Sequence, residues 1–147
     1  PREPSRAVWI RYVGAEPLPP PEVDPFVHQR LLAYASDWGL LEAAIFPHNA
    51  SLWTDVRAAS LSHTMYFHQE HFRVDQWLCH AMHSPAASGG RGFCTSEIWT
   101  EDGVLVASCA QEGLMRPHKK KAEDNAEDKS EPAELFGRSA GAAQQQQ

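Results

Sequence analysis

The sequence predicts an α+β domain, a curved antiparallel β-sheet wrapped around one long central α-helix. Three observations carry that expectation. Residues 24–39 hold a well-signalled helix, with Asp24 as N-cap, Pro25 at the first helical position and Gly39 as the stop. From about Val56 the apolar period changes to two, the spacing of a strand with one polar face. Further strand-like runs follow, and Asp102-Gly103 between the last two suits a tight hairpin turn. One helix with one amphipathic stripe is most simply covered by a sheet that curls around it.

Taken in order, AVWIRYVG (residues 7–14) is β-branched and aromatic, ends in glycine, and reads as a first strand. A Pro-rich connector leads to the helix, where Val27, Leu31, Tyr34, Ala35 and Trp38 recur at helical spacing and form the expected apolar stripe. The helix continues loosely through LLEAAI before Pro47. In AASLSHTMYFH, strict alternation puts Ala59, Leu61, His63, Met65 and Phe67 on one face and Ser60, Ser62, Thr64 and Tyr66 on the other. Three more strands are expected near residues 76–83, 91–100 and 104–114, with SPAASGG supplying the first reversal. Trp9, Trp38, Trp53, Trp77 and Trp99 read as core and edge packing.

Composition narrows the function classes. At 147 residues with a formal charge of −6, the chain suits one domain and lacks the concentrated Lys/Arg surface that nucleic acid requires. Its one basic run, His118 to Lys121, sits in a polar stretch and is neutralised by the acids after it. No apolar segment approaches the roughly 18 to 20 residues that span a bilayer. The first residue is Pro1, so a fragment or processed piece is expected. Cys79, Cys94 and Cys109 are odd in number and widely spaced, which fits reduced core thiols. Residues 118–147 are charged, alanine-rich and end in four glutamines, and are expected to be a disordered tail after a domain at 6–117.

The stretches VHQRLLAYASDWGLL, ASLSHTMYFHQEHFRVDQWL, GGRGF and DGVLVASCAQEGLMR, in this order, resemble the C-terminal half of the acyl-CoA thioesterase II family, which has bacterial and peroxisomal members. The resemblance implies the hotdog fold for residues 6–117, as the second of two tandem repeats. It also implies three site residues: Asp37 in AYASD, Ser60 in SLSHTMYFH and Gln111 in AQEGLMR. The implied substrate is a fatty acyl-CoA, hydrolysed to free acid and CoA without metal or cofactor. The implied partner is another hotdog repeat or a second copy of the chain. The implied setting is the peroxisome or cytoplasm, although the sequence ends in glutamines rather than an S-K-L-like address. Two positions depart from the family pattern: Ser62 stands where aspartate is usual, and Tyr66 where tryptophan is usual.

Those residue types suffice chemically. A thiol leaves as thiolate with a pKa of about 8.5, so a strong general acid is dispensable. A carboxylate can take a proton from water while a hydroxyl and a carboxamide fix that water's other hydrogen bonds. Asp37 is then the base or water-orienting acceptor, with Ser60 and Gln111 holding the water. Gln111 shares strand register with Leu105, Ala107 and Cys109, so its carboxamide is expected to point into the fold. Each residue alone has an ordinary reading: a solvated helix aspartate, a serine on a polar strand face, a glutamine before a strand-ending bulge. Only their joint appearance in three motifs points to chemistry.

Rival constellations fare worse. His63, His68 and His71 with Glu70 invite a zinc reading, but no H-E-x-x-H and no cysteine pair completes a site. Ser60 near His63 lacks the G-x-S-x-G of a nucleophile elbow. The strongest alternative function is a non-catalytic hotdog half that supplies only an interface. A hotdog hydratase or dehydratase is disfavoured because its His/Asp pattern is not found.

Overall fold

The helix begins where the sequence places it. In a computed structural model, which describes residues 3–118 except Trp53, the Asp24 carboxylate accepts the Val27 N–H at 3.2 Å and Pro25 opens helix α1, Pro25–Ser36. The expected disorder of the polar tail from Lys119 onward, and the packing role expected of Trp53, lie outside the described residues. Before α1 comes strand β1, Ser5–Ile10; after it come the short helix α2, Glu42–Ile45, a 3-10 turn at Phe46–His48, and strands β2, Val56–Phe67, β3, Leu78–Ser88, β4, Arg91–Thr100, and β5, Leu105–Pro117. All pairings are antiparallel, in the order β1-β3-β4-β5-β2. This is the hotdog fold, with β1 and β2 as the two edges of the sheet.

The buried face of α1 differs from the expected stripe. His28, Leu32 and Ser36, spaced four apart, are fully buried, whereas Tyr34 is 71% and Trp38 69% exposed. Polar residues can hold that face because each is satisfied. His28 accepts the Val74 N–H on Nδ1 and donates from Nε2 to the Pro19 carbonyl at 2.9 Å; Ser36 donates to the Ala33 carbonyl at 2.8 Å. Apolarity alone mistook the aromatic side of the helix for its core side. Trp9 and Trp77 are exposed as well, and with Tyr12, Tyr34 and Trp38 they line an aromatic groove of about 660 Å³ beside the edge strand β1; of the expected core and edge packing, Trp9, Trp38 and Trp77 take the edge part and Trp99 is half-buried.

Much of the sheet-facing apolar surface comes instead from the segment after Gly39. Leu40, Leu41, Ala43, Ala44 and Ile45 join Leu78, Met82, Ile98 and Met115 in the core. This segment sits unusually close to the sheet because Gly92 and Gly113 are cross-strand partners beneath it. A Cβ on Gly113 would meet the Leu41 side chain, and one on Gly92 would meet Ala44 Cβ.

Strand limits shift for local reasons. β1 lies upstream of the expected 7–14 because Ser5 to Ile10 pair with His83 to Leu78. β3 continues through SPAAS, so the reversal needs only Gly89-Gly90, at φ 59° and 72°. The register slips between His83 and Ala86, which accommodates Pro85 and its missing N–H. The Asp102-Gly103 turn forms as expected, with Gly103 at φ 84° and the Thr100 N–H donating to Val104 O at 2.9 Å. No helix among the described residues is long and apolar enough to cross a membrane.

The most consequential irregularity lies in β2. Ser60 pairs with Gly113 but Ser62 pairs with Glu112, so Leu61 is an extra residue in a β-bulge. Strict alternation fails there. Ser60 stays on the inner face with Ala58, and after the bulge it is His63, Met65 and Phe67, opposite Gln111, Cys109 and Ala107, that face inward. Ser62 and Tyr66 face out. The expectations that Ser60 and His63 lie on opposite faces, and that Ser60 and Ser62 share one, are both overturned.

Candidate functional site

Three elements converge where α1 ends. Asp37 caps the C-terminus of the helix, Ser60 comes from β2 just before the bulge, and Gln111 comes from the middle of β5. A helix C-terminus presents carbonyl oxygens and the negative end of the helix dipole, so stability alone favours a cation there. A carboxylate at that point runs against the preference.

The sequence-expected trio forms one hydrogen-bonded cluster. Gln111, only 1% exposed, donates one amide N–H to Asp37 Oδ1 at 2.7 Å and the other to Ser60 Oγ at 2.8 Å. The Ser60 hydroxyl donates to the same Asp37 Oδ1 at 3.2 Å. Both bonds to the carboxylate fall on Oδ1, and Asp37 itself is exposed. The inward direction expected for the Gln111 carboxamide is what the strand delivers.

A cleft of about 380 Å³ opens at this cluster, lined by Asp37, Ser60 and Gln111 together with Gly39, Leu41 and Leu52. Arg57, Glu42 and His118 also reach it, and Glu42 is ion-paired to Arg6. The cleft therefore offers a carboxylate, a hydroxyl and a carboxamide beside apolar walls. That set can bind and polarise a water next to an acyl chain.

Two further residues complete the network and were not singled out as site residues from the sequence. His63 is the cross-strand partner of Gln111, and its Nδ1 lies 2.6 Å from Gln111 Oε1. Its Nε2 lies 2.9 Å from the Ser36 hydroxyl on α1. His63 was visible in the motif and alternation kept it with Met65 and Phe67, but it put Ser60 on the opposite face, and no residue type in SLSH announces the bulge that brings the two together. Ser36 had no signal beyond its spacing from His28 and Leu32.

The remaining histidines disperse. His68 bonds the Ser108 hydroxyl, His71 bonds the Pro21 carbonyl, and neither shares a partner with His63. Ser62, the position that departs from the family's aspartate, accepts the Glu112 N–H at 3.3 Å on the outer face. Deeper in the sheet, His80 is fully buried, bonds Ser96 Oγ through Nε2 at 2.9 Å, and has no partner at Nδ1 among the described residues. Desolvation first, then the nearby His63 and Arg6, pull its pKa down to about 4. Cys79, Cys94 and Cys109 are free thiols, and burial pushes the latter two up in pKa, which makes them poor nucleophiles.

Comparison with known proteins bears on this geometry. Residues 1–115 match the family described as the acyl-CoA thioesterase C-terminal domain. The sequence is 38% identical over 117 residues to acyl-coenzyme A thioesterase 8 of Mus musculus, covering 78% of this chain and 34% of that protein. It is 37% identical over 109 residues to acyl-CoA thioesterase 2 of Haemophilus influenzae, covering 74% of this chain and 36% of that one. Among solved structures, an acyl-CoA thioesterase II TesB2 from Mycobacterium marinum superposes with a TM-score of 0.67 at 38% identity, over 82% of this chain and 44% of that chain. The chain thus spans about a third of the length of these curated relatives.

Proposed function

This chain belongs to the acyl-CoA thioesterase C-terminal domain family, and on that premise we propose that it hydrolyses fatty acyl-CoA to free fatty acid and CoA. The observation that carries the proposal is the cluster itself: three side chains from one helix end and two strands meet on one carboxylate oxygen. In this reading Asp37 takes the proton of a water while Ser60 and Gln111 orient it. The water's oxygen adds to the thioester carbonyl, and collapse of the adduct expels CoA as thiolate. No general acid is needed for that leaving group.

A second reading, a non-catalytic hotdog half that serves as an interface module, is favoured by one observation. β2 is an edge strand, largely exposed along its length, and it carries Ser60 and His63. An uncovered edge tends to pair with another strand. We therefore propose that another hotdog repeat, or a second copy, lies along β2 and supplies the far wall of the acyl-CoA site. The free thiols suit a reducing intracellular setting, peroxisome or cytoplasm.

Thiol release from a series of acyl-CoA esters, measured on samples whose assembly state is followed by sedimentation, tests both readings. Release that rises as the chain assembles is expected. Assembly without release, at any chain length of substrate, leaves only the interface reading. Full turnover by a monomer removes the need for a partner.

A further inference from the structure

A glutamine carboxamide has two ends of nearly the same shape and opposite hydrogen-bonding sense. At Gln111 the arrangement in hand places the nitrogen toward Asp37 and Ser60. Reversed, it would set a carbonyl oxygen against a carboxylate oxygen. Ser60 does not discriminate between the two, because a hydroxyl both donates and accepts. Asp37 discriminates only while it is ionised. Once it has taken a proton from water it becomes a donor, and a reversed carboxamide would then be equally acceptable to it.

Among the described residues, the restraint independent of that proton transfer is at the other end of the carboxamide. His63 Nδ1 lies 2.6 Å from Gln111 Oε1, and an oxygen there requires Nδ1 to carry the hydrogen. The ring is fixed in turn by Ser36 Oγ, 2.9 Å from Nε2 and 2.8 Å from the Ala33 carbonyl. In the neutral ring with its hydrogen on Nδ1, the Ser36 hydroxyl turns from the Ala33 carbonyl to donate to Nε2. In the protonated ring Nε2–H donates to Ser36, whose own proton turns to Ala33 O. Both of these forms keep Nδ1–H on Gln111, and only the neutral ring protonated on Nε2 would release it.

We propose that His63 is a positioning residue for the hydrolytic reaction: held by Ser36, it keeps the Gln111 amide nitrogen on the water-binding side before and after Asp37 is protonated. It touches neither the proposed water nor the substrate in this scheme. The β2 bulge at Leu61 is what makes the arrangement possible, since without it Ser60 and His63 could not both face Gln111. This inference rests on the reading of Asp37, Ser60 and Gln111 as a water-activating site.

Substitution separates the two ring nitrogens. Asparagine places an N–H near the position of Nδ1, glutamine places one near Nε2, and alanine supplies neither. His63→Asn is expected to keep kcat within about threefold of wild type, while His63→Gln and His63→Ala lose about ten- to a hundredfold in kcat with KM little changed. Equal losses in the asparagine and glutamine variants, or a wild-type kcat in His63→Ala, would overturn the proposal. Long-range nitrogen-15 NMR of the full chain reads the same point without turnover. A neutral His63 carrying its hydrogen on Nδ1, and a Gln111 amide signal that moves in His63→Ala but less in His63→Asn, are expected. A neutral ring protonated on Nε2 sinks the inference even if the chain hydrolyses thioesters. The expected spectra in a chain without turnover would uphold the restraint and place the failure in the proposed activity.

Discussion

Single residues in this chain build the candidate site in ways their types only partly disclose. Asp37, Ser60 and Gln111 were legible because each stands in a motif, and the structure joins all three at one oxygen. His63 was legible as a histidine but not as a member of the Ser60–Gln111 cluster, because its sharing a face with Ser60 depends on one inserted residue. His80 was not legible at all: nothing in LCHAM marks its histidine as fully buried, with one ring nitrogen unpartnered among the described residues. Its pKa, lowered from 6.5 to about 4, gives a signed expectation. The unfolded chain binds a proton at His80 that the folded chain refuses, so stability is complete above about pH 6.5 and falls as the pH drops toward 4. The size of the effect is of order 3 kcal/mol. Denaturant unfolding at pH 7 and pH 4.5 should show a smaller acid loss in His80→Gln, which has no such proton to bind. An unchanged acid loss in that variant would mean that other groups govern it.

Secondary-structure elements were legible where the local code is strong. The Asp24-Pro25 start of α1 and the Asp102-Gly103 turn form at the expected residues. The buried stripe of α1 was misread because two aromatic residues on a helix count as core by hydropathy, whereas the sheet accepts the narrower line of His28, Leu32 and Ser36. The β2 bulge was invisible because bulges arise from pairing with the neighbouring strand, not from composition. It also decides the meaning of Ser62. A residue that alternation put beside Ser60 is on the outer face, bonded to the Glu112 backbone. Ser62→Asp is therefore expected to leave turnover within about threefold, while Ser60→Ala, which removes a bond to Asp37, costs about tenfold or more. Parallel steady-state kinetics on the two variants check the order. A large gain from Ser62→Asp would show that the missing carboxylate belongs to the site after all.

At the scale of the whole molecule, the sheet order β1-β3-β4-β5-β2 brings the strand that follows the helices against the last strand of the chain. That pairing sets β2 beside β5 and both beneath the end of α1, so residues 23 and 74 positions apart from Asp37 along the chain reach one carboxylate. The close seat of the Leu41 segment on Gly92 and Gly113 holds the helix end over those strands. Periodicity predicts a helix and a sheet that curls around it; the pairing order that builds the site was not among the expectations, since contacts between distant strands leave no local pattern. We propose above all that this convergence exists to make Asp37 a base. Asp37→Asn tests it most directly, because the amide is nearly the same size and keeps the fold while losing the ability to take a proton. Thiol release from acyl-CoA by the folded variant is expected to fall at least about a hundredfold. A folded Asp37→Asn protein that releases thiol at the wild-type rate would contradict the account.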